Sequence, residues 1–113
     1  MVWFAEIEKY FSVLFGKSYS ASAPVGQITM YDTNNRFRGY VLFYPDDVEL
    51  PNNTESVING VEWCRIYMHR SEFHSAVDML RNEKPIYVYF INPTAAYIRT
   101  GLEPVGEEET PQP

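Results

Sequence analysis

The sequence has one cysteine and no long hydrophobic run, and both shortages limit where the protein can work. Cys64 has no second cysteine to pair with, so no disulfide forms within the chain and a reducing compartment is expected. No stretch reaches the ~18 unbroken apolar residues of a membrane span, and the first residues lack the basic start of a secretory signal. We therefore expect a cytoplasmic protein without a membrane partner.

Positive charge is also scarce. The 113 residues include nine lysines and arginines against fifteen aspartates and glutamates, which gives a formal net charge of −6. This balance disfavours a general nucleic-acid binder, because affinity for phosphates comes from Lys and Arg side chains that replace counterions. Four of the acidic residues lie beyond residue 102, however, so a local basic patch on the rest of the chain stays open.

The chain also lacks a recognisable catalytic or metal-binding pattern. Cys64 would need a base such as His69 or His74 beside it to act as a nucleophile, and strand alternation places it instead on an apolar face. The two histidines are five residues apart, which is not the spacing of a helical ligand pair. Asp46 and Asp47 could act with Glu49 as an acid–base or cation-binding group, but adjacent loop residues give no evidence of the defined separation that paired catalytic carboxylates need. We interpret them as a solvated loop. We expect no enzyme activity, no metal and no cofactor.

What the sequence does contain is a high share of aromatic residues, 16%, and clear secondary-structure periods. Apolar residues near the N-terminus recur every three or four positions: Trp3, Ile7, Tyr10, Phe11 and Leu14. This spacing predicts an amphipathic helix over residues 1–16, ending at Gly16. Residues 17–26, rich in Ser, Ala, Pro and Gly, are then expected to form a connector.

Two turn signals predict β-hairpins in the middle of the chain. Residues 27–31 and 37–44 are β-rich runs on either side of a stretch of turn formers, which indicates a hairpin with a polar tip. Asn59-Gly60 separates the runs 56–58 and 61–68, and this dipeptide supplies the positive φ angles of a two-residue type I′ turn. Both hairpins are typical of an antiparallel sheet.

A second helix and two final strands complete the predicted elements. Ser71 can cap a helix that runs to about Asn82, because its hydroxyl can accept from a free amide of the first turn. Residues spaced three and four apart form the apolar face of this helix: Phe73, Ala76, Val77 and Leu80. Pro85 blocks continuation, and the runs 86–91 and 95–100 predict the last two strands.

The order of these elements predicts an α+β domain. It indicates a small antiparallel β-barrel or roll with an N-terminal helix and one helix before the last two strands. An OB-like barrel fits this order, and an SH3-like barrel or a roll fits nearly as well. Residues 1–103 are expected to form a single globular domain, and residues 104–113, rich in Pro and Glu, a flexible acidic tail.

Strand alternation places a set of aromatic and arginine side chains on the wetter faces of the predicted strands. These candidate binding residues are Arg38, Tyr40, Tyr44, Trp63, Arg65, Tyr67, Tyr87 and Tyr89. If the faces adjoin, they form a platform of rings and guanidinium groups that suits a protein partner or stacked bases. The alternative is that the N-terminal helix covers the platform as a second core layer.

Two functions are consistent with such a surface. The first is a small non-enzymatic interaction module that binds a protein partner through the aromatic surface, an edge strand or the acidic tail. The second is a single-stranded nucleic-acid-binding protein on an OB-like barrel, which the six arginines and the aromatic rings favour and the net charge opposes. The acidic balance and the missing catalytic pattern favour the first.

Overall fold

A computed structural model describes residues 2–16 and 23–102. More than half of these residues lie in strands, and one short helix accompanies them. In chain order the elements are β1 (Trp3–Leu14), β2 (Gly26–Asp32), β3 (Phe37–Tyr44), β4 (Thr54–Ile58), β5 (Val61–His69), a 3₁₀ turn (Arg70–Glu72), α1 (Phe73–Asn82), β6 (Ile86–Asn92) and β7 (Ala95–Thr100). Most of the expected connector and all of the expected acidic tail, residues 104–113, lie outside the described residues.

The seven strands form one mixed sheet that curls into a half-barrel. Their order is β4-β5-β3-β2-β1-β6-β7, and every neighbouring pair is antiparallel except β3 with β5. Two hydrogen bonds join parts of the chain that belong to strands far apart in the sheet. The Trp3 indole N–H donates to the Glu55 carboxylate at 2.9 Å, and the backbone N–H of Asn53 donates to the Pro93 carbonyl at 2.8 Å. The predicted antiparallel barrel or roll, OB-like or SH3-like, is therefore wrong, because the sheet is an open one that contains a parallel pair.

The predicted N-terminal helix is wrong as well, because residues 3–14 form β1 in the interior of the sheet. The cause of the misleading pattern is a β-bulge, where one extra residue between Ile7 and Lys9 shifts the register against β2. Trp3 and Ile7 face the core before the bulge, and Tyr10 faces it afterwards, opposite the buried Met30. Two core-facing residues of the strand, Ile7 and Tyr10, are therefore three positions apart, which is also the spacing expected in a helix.

The expected hairpins are present. β2 pairs with β3, and β4 pairs with β5, with Ile58 opposite Val61 across a two-residue loop. Asn59 and Gly60 in that loop have φ angles of 52° and 78°, as a type I′ turn requires. The last two strands, β6 and β7, also form the antiparallel pair that their sequence indicates.

We expect Gly60→Val to destabilise the protein by about 1–2 kcal/mol, because a β-branched side chain resists a positive φ angle. Apart from its chain neighbours, no atom of the described residues lies within 4 Å of a Cβ built on Gly60, so the loss would report mainly backbone strain. Urea denaturation measures the change, and Asn59→Gly, which keeps a residue that tolerates positive φ, serves as the matched control. A Gly60→Val protein as stable as the control would contradict the turn.

The helix lies where the sequence predicts it. In α1 (Phe73–Asn82), Ala76 is buried, and Phe73 and Leu80 pack against the core. The predicted cap by Ser71 is wrong, because Ser71 lies in the 3₁₀ turn and its backbone N–H donates to the Asp46 carboxylate at 2.9 Å.

Among residues 2–16 and 23–102, the structure has no helix with the length and hydropathy of a membrane span.

The core fills the face of the sheet that is turned toward α1, here called the inner face. Its fully buried side chains come from β2, β3, β5 and β6: Ile28, Met30, Val41, Phe43, Cys64, Ile66, Val88 and Phe90. Phe73 of α1 meets Phe43 edge to face, with ring centroids 4.9 Å apart. The helix thus lies on the inner face, and the opposite side of the sheet is called the outer face below.

Candidate functional site

The outer face of the sheet carries eleven aromatic side chains in the described part of the chain. Strand register assigns to it Phe4, Phe11, Tyr31, Phe37, Tyr40, Tyr44, Trp63, Tyr67, Tyr87, Tyr89 and Tyr97. None of these side chains is buried, and Phe4, Phe11 and Tyr97 are 58%, 50% and 37% exposed. An N-terminal helix cannot cover them, since that segment is itself a strand of the same sheet. The rings therefore form a surface and not a second core layer.

Five of these rings form a continuous row across β1, β2, β3 and β5, here called the Trp63 row. Its members are Phe11, Tyr31, Phe37, Tyr40 and Trp63. Neighbouring ring centroids lie 4.9–6.5 Å apart, within the range of favourable aromatic pairs. The Arg65 guanidinium lies over the Trp63 ring at 4.7 Å from its centroid, which is a cation–π contact.

A second row crosses β1, β6 and β7, here called the Tyr89 row. Its members are Phe4, Tyr87, Tyr89 and Tyr97. Neighbouring ring centroids lie 5.1–6.4 Å apart. The Arg99 guanidinium lies 5.5 Å from the Tyr89 centroid, so this row also has one arginine on one of its rings. Both rows start on β1, at Phe4 and Phe11, and run in opposite directions from it.

The two arginines of the outer face have no carboxylate partner within residues 2–16 and 23–102. The Nε–H of Arg99 donates to the Thr100 carbonyl at 2.9 Å, and its other contact is the Tyr89 ring. Among the described residues, the Arg65 guanidinium contacts the Trp63 ring and forms no ion pair. Each guanidinium therefore has N–H donors available for a carboxylate or another acceptor supplied from outside this part of the chain.

The placement of Arg38 beside Tyr40 on one face is wrong. Register shifts between Met30 and Tyr31 of β2, so Arg38 is the extra residue of a bulge and its side chain turns to the inner side. It is 6% exposed, and its guanidinium lies 5.0 Å from the Trp3 ring centroid. Arg38 thus belongs to a buried polar cluster and is not part of the outer face.

Asp32 is the centre of that buried cluster. Its carboxylate accepts the Asn34 and Arg36 amides at 2.9 Å each, the Arg36 Nε at 2.9 Å and the Arg38 Nη1 at 3.0 Å. Arg38 also donates to the backbone carbonyl of Glu62 at 2.8 Å. Burial alone would raise the pKa of Asp32, but these donors outweigh it and hold the pKa below its ordinary value. The cluster fastens the β2–β3 turn to β5, and we assign it a structural role.

The predicted site residues do not form one platform. Tyr40, Trp63 and Arg65 meet in the Trp63 row, and Tyr87 and Tyr89 lie in the Tyr89 row. A separate pair is formed by Tyr44 and Tyr67, whose ring centroids are 5.7 Å apart. Burial, and to a smaller extent the neighbouring Tyr67, raises the pKa of Tyr44. Each of the three groups can be tested separately by mutation.

Sequence reasoning missed six members of the outer face. They are Phe4, Phe11, Tyr31, Phe37, Tyr97 and Arg99. The helical interpretation of residues 1–16 hides both Phe4 and Phe11. The alternation of Phe4 with Trp3 and Ala5 carries the signal for Phe4, whereas Phe11 lies beyond the bulge that breaks this alternation. Tyr97 and Arg99 alternate on β7, and the pairing of Tyr97 with Tyr89 brings them into the row.

The residues considered for chemistry have different surroundings in the described structure. Cys64 is buried, and burial raises the pKa of its thiol to about 12, so it is not a thiolate nucleophile at neutral pH. The His69 Nε2 lies 2.9 Å from the Val48 carbonyl, whereas His74 is exposed on α1. Within residues 2–16 and 23–102, no three His, Cys, Asp or Glu side chains are grouped so that they could hold a metal ion.

Comparison with protein-family models, with curated proteins and with solved structures finds no match to this chain. The functional argument therefore depends on the outer face itself. Its two rows of partly exposed rings, each with one arginine that lacks a carboxylate partner in the described part, are the chemical features to be explained.

Proposed function

We propose that this chain is a non-enzymatic interaction module that binds another protein through the Trp63 row. The observation that carries the proposal is a continuous line of five partly exposed rings across four strands, with Arg65 stacked on Trp63. Contiguous exposed apolar surface of this kind marks interaction sites in soluble domains. Trp, Tyr and Arg are also the residue types that dominate binding energy in protein interfaces.

Arg65 indicates the chemistry of the partner. Its guanidinium is already ordered against the Trp63 ring, so less conformational entropy is lost when it binds a carboxylate. A partner with an acidic residue beside an apolar anchor would therefore fit this row. Nucleic acid fits it less well, because the chain carries a net charge of −6 and the OB-like barrel that favoured this alternative is not the observed fold.

The test is capture by the immobilised full chain from a lysate of its source, with quantification of both protein and nucleic acid. We expect a specific protein partner whose binding to Trp63→Ala or Arg65→Glu is weakened by about 2 kcal/mol, or ~30-fold in Kd, because these are the central anchors. Direct titration of the captured protein against each variant gives the Kd.

The matched control is Tyr97→Ala, which removes an exposed ring of the Tyr89 row and should leave the Kd unchanged. Arg65→Glu keeps the test decisive if Trp63→Ala loses stability, because Arg65 lies on the outer face and its side chain is not buried. Equal binding by wild type and Arg65→Glu would contradict the proposal. Capture of nuclease-sensitive, salt-sensitive material in place of a protein would favour the nucleic-acid alternative.

A further inference from the structure

The chain leaves the sheet beside the Tyr89 row. Gly101 follows β7, and its amide donates to the Pro85 carbonyl at 3.0 Å. A Cβ built on Gly101 would lie 3.6 Å from Cε2 of Tyr87, so the backbone passes against this ring. Leu102, which comes next, is 97% exposed. The described part of the chain therefore ends next to the row.

The segment 103–113 has a composition that suits the Tyr89 row. It contains four glutamates and three prolines, and it has no basic residue. Proline-containing segments in an extended PPII conformation dock on aromatic-lined surfaces, because they lose little entropy on binding. The rings of the row supply such a surface, and Arg99, whose guanidinium lies on Tyr89, supplies a donor for a carboxylate.

The distribution of charge around the row gives the direction of docking. Glu6 faces Tyr87 from β1, so a glutamate placed on the β1 side would be repelled. Arg99 faces Tyr87 from β7 on the other side, and Lys84 lies next to Pro85 at the exit of the chain. Acidic side chains of the segment therefore fit the β7 side of the row, near Arg99.

We infer that residues 103–113 dock on the Tyr89 row of their own chain, with prolines against the rings and a glutamate paired with Arg99. The reach is sufficient, since the eleven residues span up to ~36 Å when extended and neighbouring rings of the row are 5.1–6.4 Å apart. The tether gives an effective concentration on the order of millimolar, so weak contacts are enough.

This inference does not depend on the proposed function. Phe4 and Phe11, the β1 members of the two rows, are seven residues apart, which corresponds to ~23 Å along a strand. A segment on the Tyr89 row therefore leaves the Trp63 row accessible to a partner. Failure of one proposal would leave the other untouched.

A nitroxide spin label at residue 112 of the full chain tests the inference. In Gln112→Cys, the introduced thiol reacts selectively, because Cys64 is buried and its pKa is raised to about 12. We expect paramagnetic loss of the backbone amide signals of Phe4, Tyr89 and Tyr97, while the amides of Tyr40 and Trp63 keep their intensity. High salt should restore the lost signals in part, because the ion pair with Arg99 is solvent-accessible.

Two variants identify the contacts. Arg99→Glu, and separately the replacement of Glu107, Glu108 and Glu109 by Gln, should each restore the signals of the Tyr89 row. The glutamine variant changes no residue of the described fold, so it stays informative if Arg99→Glu perturbs β7. Arg65→Glu is the control and should leave the pattern unchanged. Signal loss spread evenly over both rows, or unchanged by either variant, would overturn the inference.

Discussion

Gly39→Ala is expected to destabilise the protein by about 4 kcal/mol or more, a loss in the range that marks a specific structural failure. Gly39 has a φ angle of 134°, which an L side chain rarely adopts. A Cβ at this position would also lie 2.9 Å from the backbone nitrogen of Cys64 and even closer to its carbonyl oxygen. Those atoms belong to β5, which pairs in parallel with β3 at this point, so relief requires the two strands to separate.

Urea denaturation measures the stability of Gly39→Ala and of the control Gly60→Ala. The difference between them separates the clash with the Cys64 backbone from the strain of a positive φ angle. Gly60 also has a positive φ, 78°, but apart from its chain neighbours no described atom lies within 4 Å of a Cβ built there. Its replacement by Ala, which is not β-branched, should therefore cost only about 1 kcal/mol. If both alanine variants lost the same stability, β3 and β5 would not be in the close contact described at Cys64.

The parts of the fold that the sequence predicts well are those set by local chemistry. The Asn59-Gly60 turn follows from the φ angles of two residues, and α1 follows from a short apolar period before Pro85. The last two strands are bounded by Pro85 and by the turn around Pro93. In each case the residues that determine the element are within a few positions of it, so no distant contact is needed to recognise it.

The parts that the sequence does not predict depend on bulges and on distant pairing. The bulge after Ile7 changes the parity of β1, and the periodicity that results is also that of a helix. The second bulge, at Arg38, turns a charged side chain from the outer to the inner side. Sequence periodicity assumes that no residue is inserted into a strand. The predicted N-terminal helix and the outer-face placement of Arg38 are therefore errors with the same origin.

Strand alternation identifies part of the outer face but not how its side chains are arranged. Alternation assigns all eight candidate residues to the wetter faces, and the structure has seven of them on the outer face, namely Tyr40, Tyr44, Trp63, Arg65, Tyr67, Tyr87 and Tyr89. Which of these side chains adjoin depends on the strand order. After Tyr44 the chain crosses to β4 at the edge of the sheet, and β5 then returns between β4 and β3, parallel to β3. Local sequence does not encode that crossing, so the division into two rows and a pair emerges only from the fold.

A single side-chain change in the buried cluster around Asp32 should also cause a large loss of stability, as Gly39→Ala does. We expect Asp32→Asn to destabilise the protein by about 3–5 kcal/mol, because it leaves the buried Arg38 without its carboxylate partner. Glu62 compensates only in part, since its Oε1 lies 3.5 Å from Arg38 Nη2 and its side chain is 33% exposed. Arg36→Gln is the matched control, because Arg36 binds the same carboxylate with a side chain that is 48% exposed. It should cost less than about 1 kcal/mol.

The pH dependence of unfolding gives the same cluster a second, independent readout. The donors around Asp32 hold its pKa below the unfolded value, so the unfolded chain takes up the proton first as the pH falls. The contribution of Asp32 to the unfolding free energy is therefore complete above about pH 4 and is lost as the pH falls through the lowered pKa of the folded state. Denaturation from pH 6 to pH 2 should show a steeper loss of stability for wild type and Arg36→Gln than for Asp32→Asn. Parallel curves for wild type and Asp32→Asn would mean that the carboxylate is not held by Arg38 and the turn amides.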